Sequence, residues 1–212
     1  MKLQIALDVE TIDIAREILD EVRPYVDIVE AGMVSLYCGL DAVKRIKEEY
    51  PELEVLADLK TMDGGYGCSK AAFQYGADYA TVVGAAGDNT IRGGVRAAKE
   101  FGKKVVVDMI SVRNFEERVR EIDEMGVDYI CVHTAYDVYG QSADANPLDE
   151  LRVAKNNVKN AKLSVAGGIS MDTIHDIVAV KPDVVIIGGA IVGAPNRAEA
   201  AKAFKDIINS VE

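Results

Sequence analysis

Asp58, Lys60 and Asp63 fall within one short stretch, 56–63, at the close of an otherwise apolar run. On a β-strand, residues two apart share a face, so Asp58 and Lys60 would point the same way while Leu56, Ala57 and Leu59 pack. Burying an acid, a base and a second acid together is costly unless each has a partner. The stretch is therefore either a solvated charge cluster or a site that uses the three groups chemically. His133, in Val132-His133-Thr134, adds an imidazole that titrates near neutrality and can remove or return a proton, although a lone histidine on an apolar strand is often only a satisfied rim residue. Two glycine pairs, Gly167-Gly168 and Gly188-Gly189, allow close approach of backbone N–H groups to an oxyanion such as a phosphate; the alternative is two tight turns.

The elements that must position these residues follow from the hydrophobic pattern. Apolar runs of about five residues alternate with longer amphipathic segments, the signature of repeated βα units. Strands are expected over 3–8, 27–30, 54–58, 79–83, 104–108, 129–133, 162–166 and 184–187, with helices near 11–22, 36–49, 66–75, 89–101, 114–124, 148–157, 172–179 and 197–210. Gly76-Ala77-Asp78, Gly126-Val127-Asp128 and Lys181-Pro182-Asp183 recur where a helix should end and a strand begin. Eight such units favour a closed (β/α)8 TIM barrel in a single domain over 1–212, rather than an open doubly wound sheet, and no G-x-G-x-x-G follows the first strand.

In such a barrel the active site lies at the carboxyl ends of the strands. Those ends carry Asp8, Glu30, Asp58 with Lys60 and Asp63, Asp108, His133 and the two glycine pairs. Glu30 and Asp58, on neighbouring strands, could share a hard divalent cation, and an oxygen site with few protein contacts suits Mg2+. His133 should face the same mouth as Lys60. Loops after strands seven and eight are the common phosphate cradle of this barrel class, so Gly167, Gly168, Gly188 and Gly189 are the candidate phosphate-binding residues. Asp108 alone reads as a solubility charge at a strand end, and His175, on the seventh helix, has no assigned role.

Composition sets outer limits. The 212 residues are 49% hydrophobic and 28% charged, and no apolar run approaches the about 18 residues that cross a membrane. Cys38, Cys68 and Cys131 lack metal-ligand spacing and fit reduced thiols in a cytoplasmic protein. A net charge of -11 argues against nucleic-acid and anionic-membrane partners, but not against a small anion held by backbone amides.

The stretch 56–63 resembles the D-x-K-x-x-D signature of the orotidine 5'-monophosphate decarboxylase suprafamily. The stretches 3–8, 29–30, 106–110, 126–134 and 165–169 extend the likeness along the whole chain, most closely to the 3-hexulose-6-phosphate synthases. The resemblance implies a lyase: a Mg2+-dependent aldol condensation of formaldehyde with D-ribulose 5-phosphate, through a metal-stabilised enediolate, giving D-arabino-hex-3-ulose 6-phosphate. It further implies Glu30 and Asp58 as metal ligands, Asp8 and Lys60 on the substrate oxygens, His133 handling the C1 proton, and a homodimer in which Asp63 enters the neighbouring site. The rival readings are 3-keto-L-gulonate 6-phosphate decarboxylase and a non-catalytic phosphosugar-binding barrel. Where the decarboxylases carry two arginines this chain has Tyr136 and Gly189, which favours the synthase. Ala135, Gly64 and the segment 138–147 depart from the synthase pattern.

Overall fold

A computed structural model describes residues 1–139 and 147–211. In chain order the elements are β1 (Lys2–Ala6), α1 (Ile12–Val22), β2 (Ile28–Ala31), α2 (Met33–Cys38), α3 (Asp41–Glu49), β3 (Glu54–Thr61), α4 (Gly65–Gln74), β4 (Tyr79–Val83) and α5 (Asp88–Phe101). There follow β5 (Lys104–Asp108), α6 (Phe115–Glu124), β6 (Tyr129–His133), α7 (Tyr136–Tyr139), α8 (Leu148–Asn157), β7 (Lys162–Ala166), α9 (Ile174–Ala179), β8 (Val184–Ile187), α10 (Gly189–Val192) and α11 (Arg197–Asn209). The strands are parallel and close in sequence order, β8 pairing with β1 to complete the (β/α)8 barrel. Among the described residues no helix is long and apolar enough to cross a membrane.

Alternation along each strand sends one set of side chains outward to the helices and the other into the barrel. The outward set, Leu3, Ile5, Val29, Val55, Val107 and Val132 among them, is fully buried under the helices. Helix α1 shows why these segments form the outer ring. Its Thr11 side chain accepts the Ile14 amide at 3.2 Å as an N-cap, and Ala15, Ile18, Leu19 and Val22 bury one stripe.

The inward set stacks in tiers contributed by alternate strands. At the amino-terminal end lie Lys2, Glu54, Lys104 and Lys162, with Glu54 accepting from Lys2 and from the Tyr79 hydroxyl at 3.0 Å. Apolar and aromatic side chains of the even strands, Ile28, Tyr79, Tyr129 and Val184, cover that tier. Above them come Gln4, Leu56, Val106 and Ser164, then Glu30, Thr81, Cys131 and Ile186. The uppermost tier is Ala6, Asp58, Asp108 and Ala166: two alanines leave room on one side while two carboxylates face them from the other.

The recurring aspartates have a physical reason. Each precedes an even strand and accepts a backbone N–H of the odd strand before it: Asp27 from Leu3 at 2.8 Å, Asp78 from Val55 at 3.0 Å, Asp128 from Val105 at 2.9 Å and Asp183 from Leu163 at 2.9 Å. The amino-terminal rim is thus a fourfold repeat of a two-strand unit.

Several expected bounds shift. The helix expected over 36–49 is two, α2 and α3, broken where Gly39 turns to φ +66°. The third strand runs on to Thr61 instead of stopping at Asp58. The helix expected over 172–179 begins at Ile174, after a turn closed by Ser170 and Thr173. The four-residue helices α7 and α10 are too short to register as a periodic pattern. Of the departing segment 138–147, residues 140–146 lie outside the described residues.

Candidate active site

The site is built around an irregularity in β3. Pairing with β4 runs Ala57 with Ala80 and resumes at Thr61 with Val82, so β3 carries extra residues between these points. Lys60 takes up the slack at φ +40°, in the left-handed region that a side chain ordinarily avoids. Its N–H donates to the Thr81 hydroxyl at 2.8 Å, and that hydroxyl donates to Asp58 Oδ1 at 2.8 Å. Re-aimed by the bulge, Lys60 Nζ bonds Asp58 Oδ2 and lies 3.6 Å from Asp108 Oδ2. Burial works to lower the Lys60 pKa, but the carboxylates of Asp58 and Asp108 outweigh it and push it up, so the ammonium stays charged.

Asp108 and His133 make the second half of the centre. Asp108 is 3% exposed and accepts from His133 Nδ1 at 2.9 Å and from the Ile110 amide at 2.9 Å. A carboxylate only accepts, so the proton of a neutral imidazole lies on Nδ1 and Nε2 is free to take one up. Burial pushes Asp108 up, but the hydrogen bond and charge of His133, with Lys60 beyond, hold it below the ordinary carboxylate range. The reading of Asp108 as a solubility charge is therefore corrected: a buried, doubly partnered carboxylate is no surface ornament.

Glu30 faces the same pocket from β2. Gln4 Nε2 donates to its Oε2 at 2.6 Å. Loss of bulk water, then repulsion from Asp58 and Asp8, pushes the Glu30 carboxyl well above its usual range, against the pull of Lys60 and the Gln4 bond. Such crowding of negative charge is what a hard cation relieves. Among the described residues no cluster of three or more Asp, Glu, His or Cys side chains is arranged around one metal point. The pair Glu30 and Asp58 nonetheless fits Mg2+, which keeps several waters and needs only one or two carboxylates.

Asp8 follows β1, exposed at the rim, and accepts the Met33 amide at 3.1 Å. A Cβ on Gly32 would fall 2.3 Å from Asp8 Oδ1, so any larger residue there would displace that carboxylate from its present position. Gly167 and Gly168 follow β7 at φ +94° and +67°, and a Cβ on Gly167 would meet the Thr134 carbonyl oxygen at 2.0 Å. Gly188 and Gly189 follow β8 and open α10, whose first amides have no intrahelical acceptor. Asp63 stands apart. It is exposed, its Oδ1 accepts the Gly64 amide at 2.7 Å, and it is not among the residues that line the pocket with Asp58 and His133.

Glu30, Asp58, Asp108 and His133 line one small pocket, with Thr81, Cys131 and Ile186 toward its floor and Ala166 in its wall. The arrangement holds a fixed ammonium, a histidine with an available nitrogen and a pair of carboxylates around a small polar space. Such a set can bind vicinal oxygens and move a proton between carbon and oxygen.

Residues 1–204 match the model of the Orotidine 5'-phosphate decarboxylase / HUMPS family. The chain belongs to that family. Within it, a Bacillus subtilis protein named 3-hexulose-6-phosphate synthase is 51% identical over 210 residues, 98% of this chain and 99% of the relative. The crystal structure of 3-hexulose-6-phosphate synthase from Salmonella typhimurium superposes with a TM-score of 0.96 at 44% identity, covering 100% of both chains. The structure of 3-keto-L-gulonate-6-phosphate decarboxylase from Vibrio cholerae gives a TM-score of 0.88 at 27% identity, over 100% of this chain and 98% of the other. As a member of the family at these identities, the chain is a lyase-type enzyme.

Thr81 and Gln4 are the residues of this family member's site that sequence reasoning missed. Thr81 lies inside an ordinary apolar strand pattern, and only the register that sets it beside the bulge gives it a task. A signal for Gln4 existed: a polar residue at an inward position of the first strand, between Leu3 and Ile5.

Proposed function

We propose that the chain catalyses the aldol condensation of formaldehyde with D-ribulose 5-phosphate to give D-arabino-hex-3-ulose 6-phosphate. The observation that carries this reading is the convergence of Asp58, Asp108, His133 and Glu30 on one small pocket, with Lys60 ion-paired to Asp58 and Asp108, in a chain whose relatives bear the synthase name. A magnesium ion held by Glu30 and Asp58 would supply Lewis-acid stabilisation of negative charge developing on the ketose oxygens. Lys60, kept cationic by its two carboxylates, and Asp8 contact those oxygens. His133 removes the C1 proton through Nε2, and Asp108 steadies the imidazolium that results. The enediolate carbon then forms a C–C bond to formaldehyde as the C=O π bond opens, and the resulting alkoxide takes up the proton that His133 removed.

The phosphate is assigned to the amides around Gly167, Gly168, Gly188 and Gly189, after β7 and β8. A homodimer with Asp63 crossing into the neighbouring site completes the reading. In support, Asp63 is exposed beside Met62, itself 59% exposed, and Leu36 and Tyr37 of α2 are 75% and 57% exposed. The decarboxylase alternative is disfavoured at two positions: Tyr136 is 72% exposed at the start of α7, and Gly189 has no side chain, so neither supplies a guanidinium.

The test is to incubate the purified protein with D-ribulose 5-phosphate, formaldehyde and Mg2+ and follow formaldehyde loss. Consumption far above an Asp58→Ala control is expected. Equal rates for the two proteins, or efficient decarboxylation of 3-keto-L-gulonate 6-phosphate instead, would overturn the proposal.

A further inference from the structure

We propose that Thr81 is a positioning residue: its single hydroxyl holds the strained Lys60 backbone and orients the Asp58 carboxylate at the same time. The inference rests on the roles just assigned to Lys60 and Asp58. Thr81 is 5% exposed, on the fourth strand, and faces the β3 bulge. The Lys60 N–H, within the irregular segment between Ala57 and Thr61, donates to Thr81 Oγ1 at 2.8 Å. The same oxygen spends its proton on Asp58 Oδ1 at 2.8 Å, leaving Oδ2 to Lys60 Nζ.

A hydroxyl is suited to this task because it accepts and donates at once. A left-handed non-glycine backbone is strained and persists only where its surroundings over-determine it. Without the hydroxyl, Lys60 loses the bond that fixes its backbone, and the ladder with β4 is free to relax. The aim of the Lys60 side chain into the Asp58–Asp108 gap, set by the bulge, would no longer be fixed. Asp58 would also lose the donor that sets its plane. Two groups of the centre thus depend on one hydroxyl.

Thr81→Val removes the hydroxyl at nearly constant volume, and Thr81→Ser restores it. With formaldehyde, D-ribulose 5-phosphate and Mg2+, we expect Thr81→Val to lower kcat about 10- to 100-fold, the range typical of a lost supporting contact, with KM for the ketose phosphate changed less than about 3-fold. Thr81→Ser should recover most of the rate. Combined with Lys60→Ala, Thr81→Val should cost little more than Lys60→Ala alone, because residues acting through one another are not additive.

A second readout needs no turnover. Mn2+ binding, followed by electron paramagnetic resonance, should weaken about 10-fold in Thr81→Val and return in Thr81→Ser, since Asp58 loses its orienting donor. Wild-type protein that binds Mn2+ but consumes no formaldehyde would defeat the proposed reaction and leave the Thr81 assignment to be decided by this binding. Unchanged kcat and Mn2+ affinity in the valine variant, a serine variant no better than valine, or additive loss with Lys60→Ala would each overturn the assignment. Should the valine variant fail to fold, Thr81→Cys, a weak donor and acceptor, takes its place, and activity equal to that of Thr81→Ser would have the same effect.

Discussion

Asp108 and Glu30 line one pocket yet are driven in opposite directions. Asp108 sits below the ordinary carboxylate value because His133 and Lys60 outweigh its burial, whereas Glu30 sits well above it because burial is reinforced by Asp58 and Asp8. For Glu30 the folded state holds its proton more tightly than the unfolded chain. Its penalty on stability therefore begins to build as pH rises past the ordinary glutamate value of about 4.3 and is fully present above the raised folded value. Glu30→Gln, which can still accept from Gln4, should raise the melting temperature of the metal-free protein at about pH 8 by roughly 2–6 °C while abolishing Mg2+-dependent turnover. Thermal unfolding in chelator decides; an unchanged or lower Tm would contradict it. Asp108→Asn should instead lower kcat about 100-fold, because a neutral amide cannot stabilise the His133 imidazolium and can offer its N–H to Nδ1, favouring the wrong tautomer, in a protein that remains folded. A pre-steady-state rate within a few fold of wild type would return Asp108 to the rim. Residue types alone made Glu30, Asp58, Lys60 and His133 legible, because each can only be polar at a strand end. Asp108 was not, since an isolated carboxylate looks the same whether it meets water or, as here, an imidazole two residues beyond its cross-strand partner Cys131.

At the scale of elements, the sequence carried the barrel because its strands are short apolar runs bounded by turns, and the runs from Tyr79, Lys104, Tyr129, Lys162 and Val184 begin and end where expected. Irregular places escaped it. The β3 bulge has no sequence mark, for Lys60 looks like any strand lysine until the ladder with β4 is counted. The recurrence of Asp78, Asp128 and Asp183 was visible, and its cause is the aspartate-to-amide latch that ties each odd strand to its successor. Asp78 is the most heavily engaged of these, also accepting from Lys47 at 2.9 Å and Lys103 at 2.7 Å. Burial opposes its ionisation, but these lysines and the Val55 amide hold its pKa below the ordinary value. Its contribution is present above the unfolded-state aspartate value of about 3.9 and is lost as pH falls through the lower folded value. Asp78→Asn should cost about 1–3 kcal/mol in urea unfolding at about pH 7, with kcat intact, and the difference from wild type should shrink below about pH 3. A variant equally destabilised at both pH values would show that packing, not charge, supplies the latch.

At the scale of the whole molecule, one chain furnishes every group of the proposed chemistry except the role given to Asp63, which is exposed, does not line the pocket of its own chain, and has its side chain accepting the Gly64 amide. Either Asp63 is a local turn residue or it serves a second copy, and the apolar side chains exposed near it, Met62 on the loop and Leu36 and Tyr37 on α2, which packs against β3, give that copy a surface to cover. A two-fold dimer would place each Asp63 in its partner's mouth reciprocally, since an isologous interface repeats every contact. The consequence is measurable with two inactive proteins. In a heterodimer of Asp63→Ala and Lys60→Ala chains, one site pairs the intact Lys60 of the first with the intact Asp63 of the second, while the other site lacks both. Equal, freely exchanging mixtures are half heterodimer, and each heterodimer has one working site of two, so mixing should restore about a quarter of wild-type activity. If each chain completes its own site, the mixture stays as inactive as its components, because every site then lacks either Lys60 or Asp63. Sedimentation of the mixture, with one variant carrying a mass label, separates failure to exchange from failure to complement. The dimer with crossed Asp63 is sustained only by heterodimers that form and turn over.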